Sequence, residues 1–248
     1  MRALYYTSAA LIMCLSSFMS AAQEPSDASC GSCPPAKVAE LLTQRHIPLT
    51  KDALLSALHN DDPKIRDLAA AELADEGDKT TIPAIVEALA IEQTPMTRVN
   101  IASSLAYMGD ERGIQALRLD CDDTSLLMVY RLTAVMYLVN YHHDESCWKT
   151  VVEGTQCKDD SGARAQALSL IPNFRKLSAE QAADFRALRV NGLRDEDPGV
   201  RIEASYMLQT MGDVSAIPAL QAAIAAETDP NVRSSMEAQL RGLQKKQQ

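Results

Sequence analysis

Asp62-Pro63-Lys64-Ile65-Arg66 returns as Asp197-Pro198-Gly199-Val200-Arg201 and again as Asp229-Pro230-Asn231-Val232-Arg233. Three copies of one D-P-x-[IV]-R pattern mark an internal repeat, and the register continues outward from each arginine. A leucine stands seven residues on, at Leu73, Leu105, Leu138, Leu208 and Leu240, counted from Arg66, Arg98, Arg131, Arg201 and Arg233. Gly-Asp follows eleven residues after the arginine in Gly77-Asp78, Gly109-Asp110 and Gly212-Asp213. The next segment is shared as well: Thr81-Ile82-Pro83-Ala84-Ile85, Gly113-Ile114-Gln115-Ala116-Leu117 and Ala216-Ile217-Pro218-Ala219-Leu220. With Arg164 as the fourth arginine, the spacings are 32, 33, 33, 37 and 32 residues.

Each repeated feature has a conformational meaning. Asp62 is a good N-cap, and Pro63 suits the first helical position, where its missing N–H would be unpaired anyway. Leu68, Ala69, Glu72 and Leu73 continue at helical spacing until Gly77 supplies a left-handed C-terminal cap. A second helix begins near Thr80 or Thr81, tolerates Pro83 in its first turn, and runs through Ile85 and Leu89. One repeat is therefore a helix hairpin. A hairpin cannot cover its apolar faces alone, so successive hairpins stack. Leu49 to Leu58 reads as the second helix of a half-repeat preceded by a helix from Lys37 to Gln44.

Composition agrees. Of 248 residues, 46% are hydrophobic, 4% aromatic and 23% charged, with three Phe and one Trp, which disfavours a two-sheet sandwich. Ten Gly and eleven Pro exclude collagen-like and low-complexity chains. A net charge of −9, with Lys245-Lys246 as the best basic cluster, argues against nucleic acid as a partner.

These residues resemble the HEAT repeat family, and within it the phycobilisome-lyase-like subtype, whose pattern reads D-P-x-x-R, a small and apolar helix, G-D, then A-I-P-A-L. The likeness spans roughly Leu49 to Leu243 and is weakest in the third and fourth copies. It implies an all-α fold, a right-handed α-solenoid of stacked helix hairpins, with the second helices lining a concave binding surface. Deoxyhypusine hydroxylases share helix-pair repeats and hold iron with His-Glu pairs. Here His46 precedes Ile47, His59 precedes Asn60 and His143 precedes Asp144, so that activity does not carry over. Bilin lyases work on pigment proteins inside cells, whereas this chain reads as exported.

The export reading rests on residues 1–22. Met1-Arg2 gives one positive charge, Ala9 to Leu15 an apolar centre, and Ser20-Ala21-Ala22 a small-residue cleavage site after Ala22. The apolar centre falls short of the roughly 20 residues that a membrane span needs. The expected organisation is a signal peptide (1–22), a polar leader (23–35), a repeat domain (36–243) and a polar tail (244–248), in a periplasmic or secreted product with no membrane span after cleavage.

Departures from the repeat are where function is grafted. The third copy carries Tyr141-His142-His143-Asp144-Glu145-Ser146-Cys147-Trp148 in place of Gly-Asp. Two imidazoles, two carboxylates and a thiol suit a metal or ligand; the plainer alternative is a helix cap with Trp148 packed beneath it. In the fourth copy Pro172 should kink or end its helix, and Ser178-Ala179-Glu180-Gln181 is a capping box. The in-register arginines look like an anion ladder. Pairing with Asp62, Asp78, Asp110 and Asp213 at neighbouring turns accounts for them better.

Cleavage leaves Cys30, Cys33, Cys121, Cys147 and Cys157 in a compartment where disulfides persist. Cys147 and Cys157 would lie about 15 Å apart on a helix, beyond the ~7 Å Cα separation a disulfide spans. Cys121 and Cys157 both follow second helices of adjacent repeats, and Cys121–Cys157 is the expected bond. Cys30-Gly31-Ser32-Cys33 lies in the polar leader with no βαβ pattern behind it, which favours a local staple over a redox centre.

No Gly-rich phosphate loop and no G-x-S-x-G is present, and no cofactor is called for. The reading is a non-catalytic scaffold binding a protein or peptide on its second-helix face. The positions singled out are Glu87, Glu92, Arg112, Gln115, Arg118, Arg186 and Arg189, together with His142, His143 and Trp148. The runner-up is a redox- or metal-linked accessory protein using Cys30 and Cys33 or the His142 to Trp148 segment.

Overall fold

The structure, a computed structural model, describes residues 35–246. The signal peptide, the leader and Cys30 and Cys33 lie outside the described residues. Among those described, every regular element is helical: α1 (Pro35–Gln44), α2 (Lys51–Ala57), α3 (Pro63–Glu76), α4 (Ile82–Ile91), α5 (Pro95–Tyr107), α6 (Glu111–Asp122), α7 (Met128–Tyr141), α8 (Trp148–Thr155), α9 (Ser161–Leu170), α10 (Ala179–Gly192), α11 (Pro198–Met211), α12 (Ile217–Ala226) and α13 (Pro230–Lys245). None is long and apolar enough to cross a membrane.

The local signals act as the sequence suggests. Asp62 caps α3 by accepting from the Lys64 N–H, Asp197 caps α11 through Gly199 and Val200, and Asp229 caps α13 through Asn231 and Val232. Gly77 and Gly212 close α3 and α11 at φ 71° and 68°, angles that cost a side-chain-bearing residue energy. Second helices α4 and α12 are entered through 3-10 turns at Lys79–Thr81 and Val214–Ala216, which places Pro83 and Pro218 in the first helical turn. Pro172 ends α9 at Leu170 and leaves a 3-10 turn over Ile171–Asn173. Ser178 and Gln181 form the expected capping box at α10.

The chain divides into two compact units, to Gln115 and from Ala116. In the first, α3 packs against α1, α2 and α5, and α4 against α5. Its core is a stripe of small and branched residues including Leu42, Leu54, Leu68, Leu73, Ile85, Ile101 and Leu105, each at most 1% exposed. In the second, α9 packs between α7, α8 and α11, and α11 also meets α10 and α13. Leu138, Val151, Leu168, Phe185, Leu208, Leu220 and Met236 fill it. The leucines seven residues after the ladder arginine are fully buried at Leu73, Leu105, Leu138 and Leu208; Leu240 is only half-buried, and Leu243 does that work in α13.

Gly113 departs from its counterparts Thr81 and Ala216. The second repeat lacks the 3-10 turn, so α6 starts at once and its first turn lies hard against α5. A Cβ on Gly113 would sit 2.4 Å from the Ala106 backbone nitrogen and 2.5 Å from the Ala102 carbonyl oxygen. Thr81 and Ala216, the equivalents ahead of α4 and α12, are the last residues of that extra turn and carry side chains there. Gly113→Ala is expected to destabilise the protein by about 1–3 kcal/mol, towards the upper end because the obstructing atoms are backbone. Urea unfolding with an unchanged midpoint would remove the close approach from the account.

Candidate functional site

Arg66, Arg131, Arg164, Arg201 and Arg233 do not pair with Asp62, Asp78, Asp110 or Asp213. Arg66 binds Glu92 in a two-pronged contact, Nε to Oε2 at 2.6 Å and Nη2 to Oε1 at 2.8 Å, while its Nη1 donates to the Asn60 and Asp61 carbonyls. Arg201 repeats this with Glu227 and the Asp195 and Glu196 carbonyls, and Arg164 with Asp195 and the Cys157 and Lys158 carbonyls. Arg131 takes Glu153 and the Cys121 carbonyl, and Arg233 donates to the Glu227 carbonyl. Arg66, Arg164 and Arg201 thus each join the backbone just after the preceding second helix to an acid just after their own. The acids Glu92, Asp195 and Glu227 each stand three residues before the proline that opens the next first helix, a position the D-P-x-[IV]-R and Gly-Asp motifs do not include. Burial alone would push Glu92 up, but Arg66 and the Thr94 backbone N–H hold it below the ordinary carboxylate value; Arg201 holds Glu227 down likewise.

This removes Glu92 from the proposed surface. It is 7% exposed and spent on Arg66. Glu87, Arg112, Gln115, Arg118 and Arg186 are exposed, whereas Arg189 is 4% exposed. Asp78, Asp144 and Asp213, each directly after the left-handed residue, instead hold second-helix cations. Lys51 of α2 meets Asp78 at 2.6 Å, Arg118 of α6 meets Asp144 at 2.6 Å, and Arg186 of α10 meets Asp213 at 2.8 Å. Lys51 and the Thr80 groups draw Asp78 down to about 2. Arg112 forks onto Asp110 in its own turn.

Asp144 reveals what the third copy is. His143 has φ 53°, the left-handed conformation that Gly77, Gly109 and Gly212 adopt elsewhere. The Asp144 N–H closes on the Leu138 carbonyl as the Asp110 and Asp213 N–H groups close on Leu105 and Leu208. His143-Asp144 is therefore Gly-Asp displaced by one residue, histidine being among the residues that most readily accept positive φ. His46 does the same after α1, at φ 59°. Ser146 caps onto Asp144, and the Glu145 carboxylate accepts the Arg175 and Lys176 backbone N–H groups. Trp148 opens α8, half-buried beside Lys149. His143→Gly is expected to stabilise the protein by about 1 kcal/mol by relieving the left-handed side chain. A lower denaturation midpoint would show that the imidazole contributes more than the strain it imposes.

The disulfide joins Cys121 to Cys147, Cα–Cα 6.3 Å, and Cys157 is free. Expecting Cys121–Cys157 assumed that α6 and α8 run side by side with matching ends. Instead the end of α6 lies over the start of α8: Thr150 donates to the Cys121 carbonyl, and Arg118 reaches the loop ahead of α8. Cys157 lies past the opposite end of α8. The two bonded sulfurs and an Asp122 carboxylate oxygen lie within 4.8 Å of one another, but sulfurs joined to each other do not present the thiolates that a soft metal needs. His142 and His143 are not part of that group.

Register sets Arg189 apart. Three residues after Lys51 and Arg118 come Leu54 and Cys121, both 0% exposed; three after Arg186 comes Arg189. A guanidinium stands where the corresponding helices bury an apolar group. Burial lowers its pKa from the ordinary arginine value, Asp213 opposing the change and Arg186 adding to it.

A family model described as HEAT repeats matches residues 52–138 and 149–241. No curated protein matches the chain. Among solved structures, an engineered protein from a structural genomics consortium is 20% identical with a TM-score of 0.43, covering 78% of this chain and 96% of its own. Human deoxyhypusine hydroxylase in complex with glycerol is 15% identical with a TM-score of 0.32, covering 88% of this chain and 100% of its own. Neither likeness bears on function at these scores.

Proposed function

This chain belongs to the HEAT repeat family, and from that premise we propose that it is an exported, non-catalytic scaffold that binds a protein or peptide partner on its second-helix face. The observation that carries the reading is the outer row of α6. Arg112, Gln115 and Arg118 follow one another at helical spacing and are exposed, and the two arginines are clamped in place by Asp110 and Asp144. Cationic and amide donors already held in one geometry lose little freedom on binding, which is what an interaction surface requires. A half-exposed charge in such a pair contributes little to stability, so the arrangement is better explained by recognition than by folding.

Export is supported by the 1–22 segment and by the Cys121–Cys147 disulfide, a bond that persists in oxidising compartments. The D-P-x-[IV]-R and A-I-P-A-L registers support the phycobilisome-lyase-like subtype. The test is capture of partners by the tagged mature protein from its native envelope extract, read by mass spectrometry, with a parallel capture by Arg112→Ala/Gln115→Ala/Arg118→Ala. Selective loss of a reproducible partner from the variant is expected; a partner set unchanged by the three substitutions overturns the assignment of the face.

A further inference from the structure

A buried arginine is ordinarily tied down on all sides, because its charge and its five N–H donors are costly to remove from water without partners. Arg66, Arg164 and Arg201 obey this rule. Arg189 does not. Among the described residues it makes no hydrogen bond, its Nε is fully enclosed without a partner, and its one charged contact is Nη2 to the Asp213 Oδ2 at 4.0 Å. Asp213 is already committed: Oδ2 accepts from the Arg186 Nε at 2.8 Å and Oδ1 from the Ser215 hydroxyl. Arg186 in turn gives Nη2 to Ser215, which leaves its Nη1 unspent among the described residues. Two guanidiniums facing one carboxylate leave one net positive charge.

We propose that Arg189 and Arg186 form a site for a single carboxylate, supplied by an acidic peptide segment of the partner. The site rests on the second-helix reading given above and names the chemistry which that face recognises at α10. One uncompensated positive charge matches a monoanion better than a doubly charged phosphate. The planar fork of a guanidinium pairs with a carboxylate through two parallel hydrogen bonds. Arg186 is 45% exposed at its side chain and meets the incoming group first; Arg189, 5% exposed, receives it in surroundings of low polarity where the contact is strong. The register argues against a packing role for Arg189, since Leu54 and Cys121 fill the same position without charge.

The experiment follows the arginine Nε–H signals of the mature chain by NMR, with Arg189 assigned through Arg189→Leu. The titrants are a blocked hexaglutamate peptide, the matching hexaglutamine peptide and inorganic phosphate, at physiological ionic strength. The expected result is a saturable shift of Arg189 with hexaglutamate only. Arg189→Leu, which installs the residue found at position 54, is expected to melt at the same temperature as the parent or higher and to bind hexaglutamate about tenfold more weakly or worse. A lower melting temperature for Arg189→Leu overturns the site, because the charge is then used inside the protein. So does an Arg189 signal that ignores hexaglutamate, that answers hexaglutamine equally, or that answers phosphate more strongly. Hexaglutamate binding at Arg189 without any captured partner upholds the site while the scaffold reading falls. A captured partner that depends on Arg112 and Arg118 but not on Arg189 upholds the scaffold reading and overturns the site.

Discussion

Arg201→Ala should destabilise the protein by about 3–5 kcal/mol, the range for removing one partner of a buried ion pair. The change removes a two-pronged contact with Glu227, whose side chain is 4% exposed, and two hydrogen bonds to the Asp195 and Glu196 carbonyls. What remains is a buried carboxylate facing nothing positive, and carbonyls with no donor. The pH dependence supplies a second check. Glu227 is held below its ordinary value by Arg201, so its contribution is fully present above the unfolded-state value near 4.3 and is lost as pH falls through the lower folded-state value. In the variant that carboxylate keeps only the Thr228 and Asp229 backbone N–H donors, and loses the largest cause of its lowered value. The stability difference between parent and variant should therefore shrink as pH falls below about 4. Urea unfolding across that range checks both parts; a loss under about 1 kcal/mol, or a difference that widens in acid, would show the contact to be dispensable.

Cys147→Ser should cost about 3.5 kcal/mol, whereas Cys157→Ser should fall within about half a kcal/mol of the parent. The bond closes a loop of sequence separation 26, and cross-linking that span removes freedom from the unfolded chain. α7 lies wholly inside the loop, so the bond ties together the two ends of the segment that carries an entire helix. Non-reducing peptide mapping should recover Cys121 joined to Cys147. A Cys121–Cys157 peptide, or equal losses in the two variants, would reinstate the pairing expected from end-matched helices.

The legibility of this fold varied with how local each cause was. Asp62-Pro63, Asp197-Pro198 and Asp229-Pro230 acted as read because a cap is decided within four residues. The arginine partners are not found by counting from the arginine, since Glu92 lies 26 residues beyond Arg66 while Asp195 lies 31 beyond Arg164; the constant spacing runs from the following helix, where Glu92, Asp195 and Glu227 stand three residues before Pro95, Pro198 and Pro230. The His142 to Trp148 segment looked like an insertion because its left-handed residue is His143 rather than Gly. The signal was the intact Asp144 directly after it, with Arg118 placed to meet it. Glu92 and Arg189 were placed on the surface by residue type. For Arg189 the warning was present in register, three residues beyond a helix cation, where Leu54 and Cys121 are plainly interior.

The arginine contacts also bear on how the second unit comes apart. In a nearest-neighbour description of a repeat array, each hairpin has an intrinsic stability and each junction a coupling. Arg164 and Arg201 give Nη1 to the carbonyls ending the preceding hairpin and Nε and Nη2 to the acid closing their own, so each serves its hairpin's intrinsic stability and the coupling at once. A hairpin that opens alone leaves the carbonyls ending its neighbour without their donor. Through α9 to α13 the hairpins are thereby bound to melt as one block, and a segment cut out between two arginines would leave behind the half of each contact that it needs to stay folded.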